Sequence, residues 1–154
     1  GDIDAAYVWE PALSKAKASG HVLVDSKQVG EWGAPTYDLW VVRKDFAEKN
    51  PDFLKAFVKT SLKQVDAYNS NPKAFVENTD NIQKISKLTG SEAKDIPLLL
   101  QGNDYLGAQQ QVQTLSGEFA KNILDTATFL KSQGKVDQVK PDYKENVNVT
   151  FIQP

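Results

Sequence analysis

A chain of 154 residues, 40% hydrophobic and 25% charged, is long enough to bury a core without covalent staples, and its net charge of -2 leaves no basic stripe for nucleic acid. It holds no cysteine, which excludes disulfides and thiolate metal ligands, and no apolar run approaching the roughly eighteen residues of a membrane-spanning helix. Methionine is also absent and no leader-like stretch is visible. Together with a strand-like pattern at the very start, this predicts a processed or excised chain that begins inside a larger protein.

Residues 3–9, IDAAYVW, form an apolar run that predicts a buried strand. Glu10-Pro11 follows, and proline suits a first helical turn, where its missing N–H costs nothing. Residues 11–19 predict a short helix with Gly20 as its C-cap, and His21 to Val24 predict a second strand closed by a turn at Asp25-Ser26. That strand–helix–strand order is a βαβ signature. Residues 29–36, VGEWGAPT, carry two glycines and a proline and predict a loop. Residues 37–43 predict a third strand, rich in β-branched and aromatic side chains.

The remainder reads as helical scaffold. A short helical turn at Asp45–Ala47 ends at Asn50-Pro51, where Asn50 is expected as the N-cap of a long helix. Phe53, Leu54, Phe57, Val58, Leu62, Val65 and Tyr68 recur along that helix at three- and four-residue steps. Residues 73–89 predict further helix with a break near Thr79-Asp80, and a short helix restarts after Ser91 and ends at Gly102. A last long helix is expected over 107–133, with Gly117 its weak point and Gly134 its end. A fourth strand is expected at 147–152.

Chemistry-bearing side chains concentrate at the front. Trp9, Trp32 and Trp40 all fall in the first forty residues, with Tyr7, Tyr37, Glu10 and Asp38. The candidate site is therefore placed between Tyr7 and Asp38. His21 is the only histidine, so neither a metal ligand set nor a nucleophile triad is available, and there is no Gly-rich phosphate loop. Enzymatic activity and a cofactor are not expected.

The stretches GDIDAAYVWEPAL (1–13) and VGEWGAPTYDLWVVRKDF (29–46) resemble the taurine-binding proteins of bacterial ABC importers, part of a wider group that binds aliphatic sulfonates, nitrate and thiamine precursors. The match continues through FAEKNP (46–51), Gly102-Asn103 with Tyr105-Leu106, Gln109–Gln111, and Phe129-Leu130-Lys131 with Gln133-Gly134-Lys135-Val136, and so covers nearly the whole chain. The resemblance implies an α/β, helix-rich fold: the C-terminal portion of a two-lobe type II periplasmic binding protein fold. It implies that residues 1–36 are the end of the second lobe with a ligand-facing loop. Residues 37–154 would then be the hinge crossing and the helical return into the first lobe. A missing half would supply most of the first lobe's sheet and part of the second. The implied function is ligand binding in the periplasm for an ABC importer, with taurine or a related sulfonate and a membrane permease as partners. The alternatives are another alkanesulfonate or a thiamine-precursor pyrimidine and, in a different class, an enzyme built on the same two lobes.

Taurine carries an ammonium and a sulfonate, and burying either unpaired is costly. Given the resemblance, Asp38 is the first candidate for the ammonium; a turn aspartate satisfied by backbone N–H groups is the other reading. Trp9 ends a predicted strand just before a helix, where α/β sheets bind ligands, and its ring suits a cation; core packing is its alternative. Glu10 can accept from a ligand or serve a helix N-terminus. Tyr7 shares a strand face with Trp9 and offers a hydroxyl, or packs in a core. Trp32 is a candidate lid or a plain surface contact. Thr36 offers a hydroxyl at the hinge or simple turn chemistry.

Overall fold

The computed structural model describes residues 2–152. It is 60% helical. Among the described residues the helices are α1 (Ala12–Lys17), α2 (Ser26–Glu31), α3 (Lys44–Lys49), α4 (Pro51–Ser70), α5 (Pro72–Glu77), α6 (Thr79–Thr89), α7 (Ile96–Gln101), α8 (Ala108–Ser116) and α9 (Phe119–Ser132). Short 3-10 turns add Ala93–Asp95 and Lys144–Asn146.

No strand forms among the described residues, which corrects the expectation at 3–9, 21–24, 37–43 and 147–152 and leaves only the helix-rich part of the α/β class. The reason is where each backbone finds its partners. A helix bonds within itself, whereas a strand needs a neighbouring strand about 4.8 Å away. The first three segments have the right composition and no ladder beside them. The fourth folds on itself instead: Ile152 N–H donates to the Val149 carbonyl at 3.0 Å, and Thr150 N–H to Asn148 Oδ1 at 2.8 Å.

The helices follow their local signals more closely. Helix α6 starts because Asn78 Oδ1 accepts from Asp80 N–H at 3.0 Å and Asn81 N–H at 3.2 Å, and it ends at Gly90, whose φ of 72° lies in the left-handed region. Asn50 holds the N-cap position expected of it, since its carbonyl accepts from Leu54 N–H at 3.2 Å, while its Nδ2 turns back to the Phe46 carbonyl at 2.9 Å and closes α3. One helical expectation is corrected. The helix expected over 107–133 is two helices, because Gly117 leaves helical geometry at φ -88°, ψ -123°.

The chain divides into two compact units. One comprises the stretch up to Asp38 together with Asn71–Asp104. Its buried residues are Ile82, Ile96 and Leu100, with Ser91 held by hydrogen bonds: its N–H reaches Thr89 Oγ1 at 3.2 Å, and its carbonyl accepts from Ser86 Oγ at 2.7 Å. The other comprises Leu39–Ser70 and the chain from Tyr105 onward, with Leu54, Leu62 and Phe119 buried. In that unit Asn69 Nδ2 donates to the Tyr105 carbonyl at 2.6 Å beside the Tyr68–Tyr105 ring contact at 5.1 Å. These bonds tie the end of α4 to the segment entering α8.

Candidate functional site

All six candidate site residues lie in two segments of the first unit, 2–10 and 25–38. Asp25 Oδ1 accepts from Gln28 N–H at 2.9 Å and so starts α2. The stretch expected to be a loop from Val29 is therefore helical as far as Glu31. Asp25 followed by Gln28 at the third helical position is a readable capping signal that the strand-end interpretation of Asp25-Ser26 overlooked. Beyond α2 the chain reverses at Gly33, with φ of 97°, and Ala34 N–H returns to the Val29 carbonyl at 3.1 Å. A side chain at Gly30 would meet Pro35 Cα at 3.5 Å, so the loop packs close against the helix end.

The link between the two segments is a hydroxyl pair. Tyr7 Oη and Ser26 Oγ stand 2.8 Å apart, nineteen residues apart in sequence. Sequence reasoning included Tyr7 and missed Ser26; no periodicity or motif joins a residue of one segment to a residue of another. Trp9 and Trp32 are largely solvent-exposed, at 76% and 69%, and Tyr7 is 63% exposed. Glu10 Oε2 accepts from Ser14 N–H at 3.2 Å, engaging the first turn of α1, while Leu13 N–H donates to the Trp9 carbonyl at 2.9 Å. The Glu10–Pro11 peptide that connects Trp9 to α1 is cis.

Thr36 and Asp38 are exposed in the run that leaves this loop, and the Asp38 carboxylate has no ion pair among the described residues. The single arginine, Arg43, is bound to Asp45 at 3.2 Å. Chemically, the unit presents hydroxyls at Tyr7 and Ser26, indole faces at Trp9 and Trp32, and a carboxylate at Asp38. These are donors for an oxyanion and acceptors for a cation. Among the described residues no three His, Asp or Glu side chains converge as metal ligands, and no helix is long and apolar enough to cross a membrane.

Comparison with known proteins gives two matches. The model of a family described as the substrate-binding domain of an ABC-type glycine betaine transport system matches residues 1–87. The taurine-binding periplasmic protein of Escherichia coli (strain K12) is 50% identical over 153 residues, which cover 99% of this chain and 48% of that relative. The chain thus spans about half the length of the curated relative it matches.

Proposed function

We propose, for a chain that belongs to the family of substrate-binding domains of ABC-type glycine betaine transport systems, that it carries part of a periplasmic binding site for taurine and serves an ABC importer. One observation carries the ligand: 50% identity to a taurine-binding periplasmic protein, sustained over 99% of the chain. The side chains fit that ligand. Asp38 meets the ammonium, the Trp9 and Trp32 rings offer it their faces, and the hydroxyls of Tyr7 and Ser26 donate to the sulfonate. Thr36 adds a hydroxyl near the carboxylate, and Glu10 supports α1 next to the run that carries Trp9. The partners are the small molecule and a membrane permease; the ligand is released unchanged, and no reaction is catalysed.

A second reading takes its support from the family description, which names glycine betaine. A quaternary ammonium has no N–H to donate, so it gains from aromatic faces and little from a carboxylate hydrogen bond. The two readings separate in calorimetry on a full-length chimera in which these residues replace the matched part of the Escherichia coli relative. Taurine is expected to bind in preference to glycine betaine and to ethanesulfonate, and to be recovered intact. Preference for betaine would move the assignment to the second reading, and product formation would remove the binding function altogether.

The 154-residue chain alone is expected to bind taurine no better than millimolar. The exposed rings and carboxylate leave one ligand charge in water, and without enclosure the electrostatic contacts stay weak. Micromolar affinity of the monomeric chain in the same calorimeter would mean that the sulfonate site is complete here.

A further inference from the structure

Helix α2 carries a candidate ligand residue at each end. Ser26 opens it, with its hydroxyl 2.8 Å from that of Tyr7, and Trp32 closes it, with its N–H on the Gln28 carbonyl at 3.1 Å. Its six residues, at about 1.5 Å each, make a strut of roughly 9 Å. Packing does not hold this strut, since none of its residues is buried. Length does not hold it either, because helices shorter than about 12–15 residues are marginal on propensity alone. The far end is closed by backbone: Gly33 N–H donates to the Gly30 carbonyl at 2.9 Å, and Ala34 N–H to the Val29 carbonyl at 3.1 Å. The near end starts on Asp25, which is extended at φ -112°, ψ 168°. Its Oδ1 accepts from Gln28 N–H at 2.9 Å and its carbonyl from Val29 N–H at 3.1 Å. Gln28 therefore joins the two ends, held by Asp25 through its N–H and holding Trp32 through its carbonyl.

We propose that Asp25 is a positioning residue of the ligand site. Without meeting the ligand itself, it fixes the start of α2 and so sets the Ser26 hydroxyl and the Trp32 indole together. The inference rests on the proposed function, which gives Ser26 to the sulfonate and Trp32 to the ammonium. A ligand gripped from both ends of one strut gains most when the strut is formed before it arrives. Without its cap α2 frays, the competent fraction falls, and the apparent affinity falls by the same factor. Direct contact of the Asp25 carboxylate with the ammonium fits less well, because its Oδ1 is already on Gln28 N–H and the residue is next to a hydroxyl assigned to the anion. Capping needs an acceptor and no charge, so asparagine or serine can do the same work. That separates the proposed role from an electrostatic one.

The test uses the full-length chimera. Asp25→Ala should weaken taurine about fivefold in calorimetry, the equivalent of a cap worth roughly 1 kcal/mol. Asp25→Asn and Asp25→Ser should restore most of the affinity. A mutant cycle distinguishes positioning from general stability. In a Ser26→Ala, Trp32→Ala background, Asp25→Ala should cost little more, because the groups it positions are gone. In the isolated chain, the Val29 and Trp32 amides should exchange about fivefold faster in Asp25→Ala, while those of α6 keep the parent's rates, since the opening is local. Parent-like affinity or parent-like exchange of Asp25→Ala overturns the proposal and leaves the proposed site standing. So does an undiminished loss in the Ser26→Ala, Trp32→Ala background, or a loss in Asp25→Asn and Asp25→Ser as large as in Asp25→Ala. The site itself fails in a different way. If Ser26→Ala and Trp32→Ala bind taurine like the parent while Asp25→Ala still speeds exchange at Val29 and Trp32, the ligand contacts are wrongly assigned, and the proposal falls with them for want of groups to position.

Discussion

The first 43 residues and the 82 residues from Pro51 to Ser132 use the same kinds of apolar side chain to opposite effect. In the later region Leu54, Leu62, Ile82, Ile96, Leu100 and Phe119 go inside. In the earlier one Ile3, Leu23, Trp40 and Val41 stay at 72–88% exposure. A helix does not by itself bury a side chain, since Leu88 at 86% and Leu98 at 66% stay out on α6 and α7, but the buried apolar residues named all lie on helices. Helices α4 to α9 satisfy their backbones locally and need only a neighbour to cover one stripe. In the front region only α1 and α2 do so, and Ile3, Leu23, Trp40 and Val41 lie in the runs outside them, where no ladder forms among the described residues. Burial in this chain therefore follows the helices and the neighbours that cover their stripes.

The sharpest way to test this contrast is a pair of substitutions, one in the core and one in a front run. Ile96, in α7, is completely buried. Ile96→Ala should cost about 2–5 kcal/mol, from lost transfer energy and the cavity it leaves. Val41→Ala should stay within about 0.5 kcal/mol of the parent, because its side chain is already in water. Urea titration followed by helical ellipticity reads both. A comparable loss from Val41→Ala would mean that the run is buried in solution and the contrast is wrong.

The next effect concerns the front region's chemistry. In the full-length chimera, Asp38→Asn should weaken taurine about ten- to a hundredfold, the worth of a charge-assisted pair at roughly 1.5–3 kcal/mol. Ethanesulfonate, which has no amine, should lose much less. Equal losses for the two ligands by calorimetry would show that Asp38 acts on the scaffold and does not meet the ammonium.

How much of this was legible follows the same line. The boundaries near Pro51, Thr79, Gly102 and Gly134 were readable because proline, capping residues and glycine are signals written within a few residues, with Gly134 in the left-handed region. Helix α2 was readable in principle from Asp25 and Gln28, yet the neighbouring Val22–Val24 run argued for a strand end and obscured it. The strands were misplaced because pairing is a property of two segments and the sequence describes one. For the candidate site, Tyr7, Trp9, Trp32 and Asp38 were chosen by residue type, local setting and the family resemblance. Ser26 was not, since its significance is a 2.8 Å contact to Tyr7.

A smaller effect checks the local signals themselves. Asn78→Ala removes the acceptor for two N–H groups at the start of α6 and should destabilise by about 1 kcal/mol. Asn78→Ser should recover most of it, because a serine hydroxyl can cap the same donors. If serine fails as badly as alanine in the same urea titration, Asn78 matters for packing and not for its carboxamide oxygen.

The smallest effect belongs to a surface pair in the later region, Glu92 Oε2 and Lys94 Nζ at 2.8 Å, both well exposed. The hydrogen bond and charge of Lys94 hold the Glu92 carboxyl below its ordinary 4.5. The hydrogen bond and charge of Glu92 raise the Lys94 ammonium above its ordinary 10.5. For Glu92, a lowered folded-state value stabilises at pH above 4.5, and that contribution is lost as pH falls through the lowered value. For Lys94, a raised folded-state value stabilises below pH 10.5, and that contribution is lost as pH rises through the raised value. The difference in Tm between the parent and Glu92→Gln should therefore be flat between those limits and close at both ends. It should also shrink in about 1 M salt, where the Debye length falls to roughly 3 Å. A difference that persists unchanged into strong acid would mean that Glu92 contributes through its stem or its place at the start of the 3-10 turn, and that the charge pair adds nothing to either region's stability.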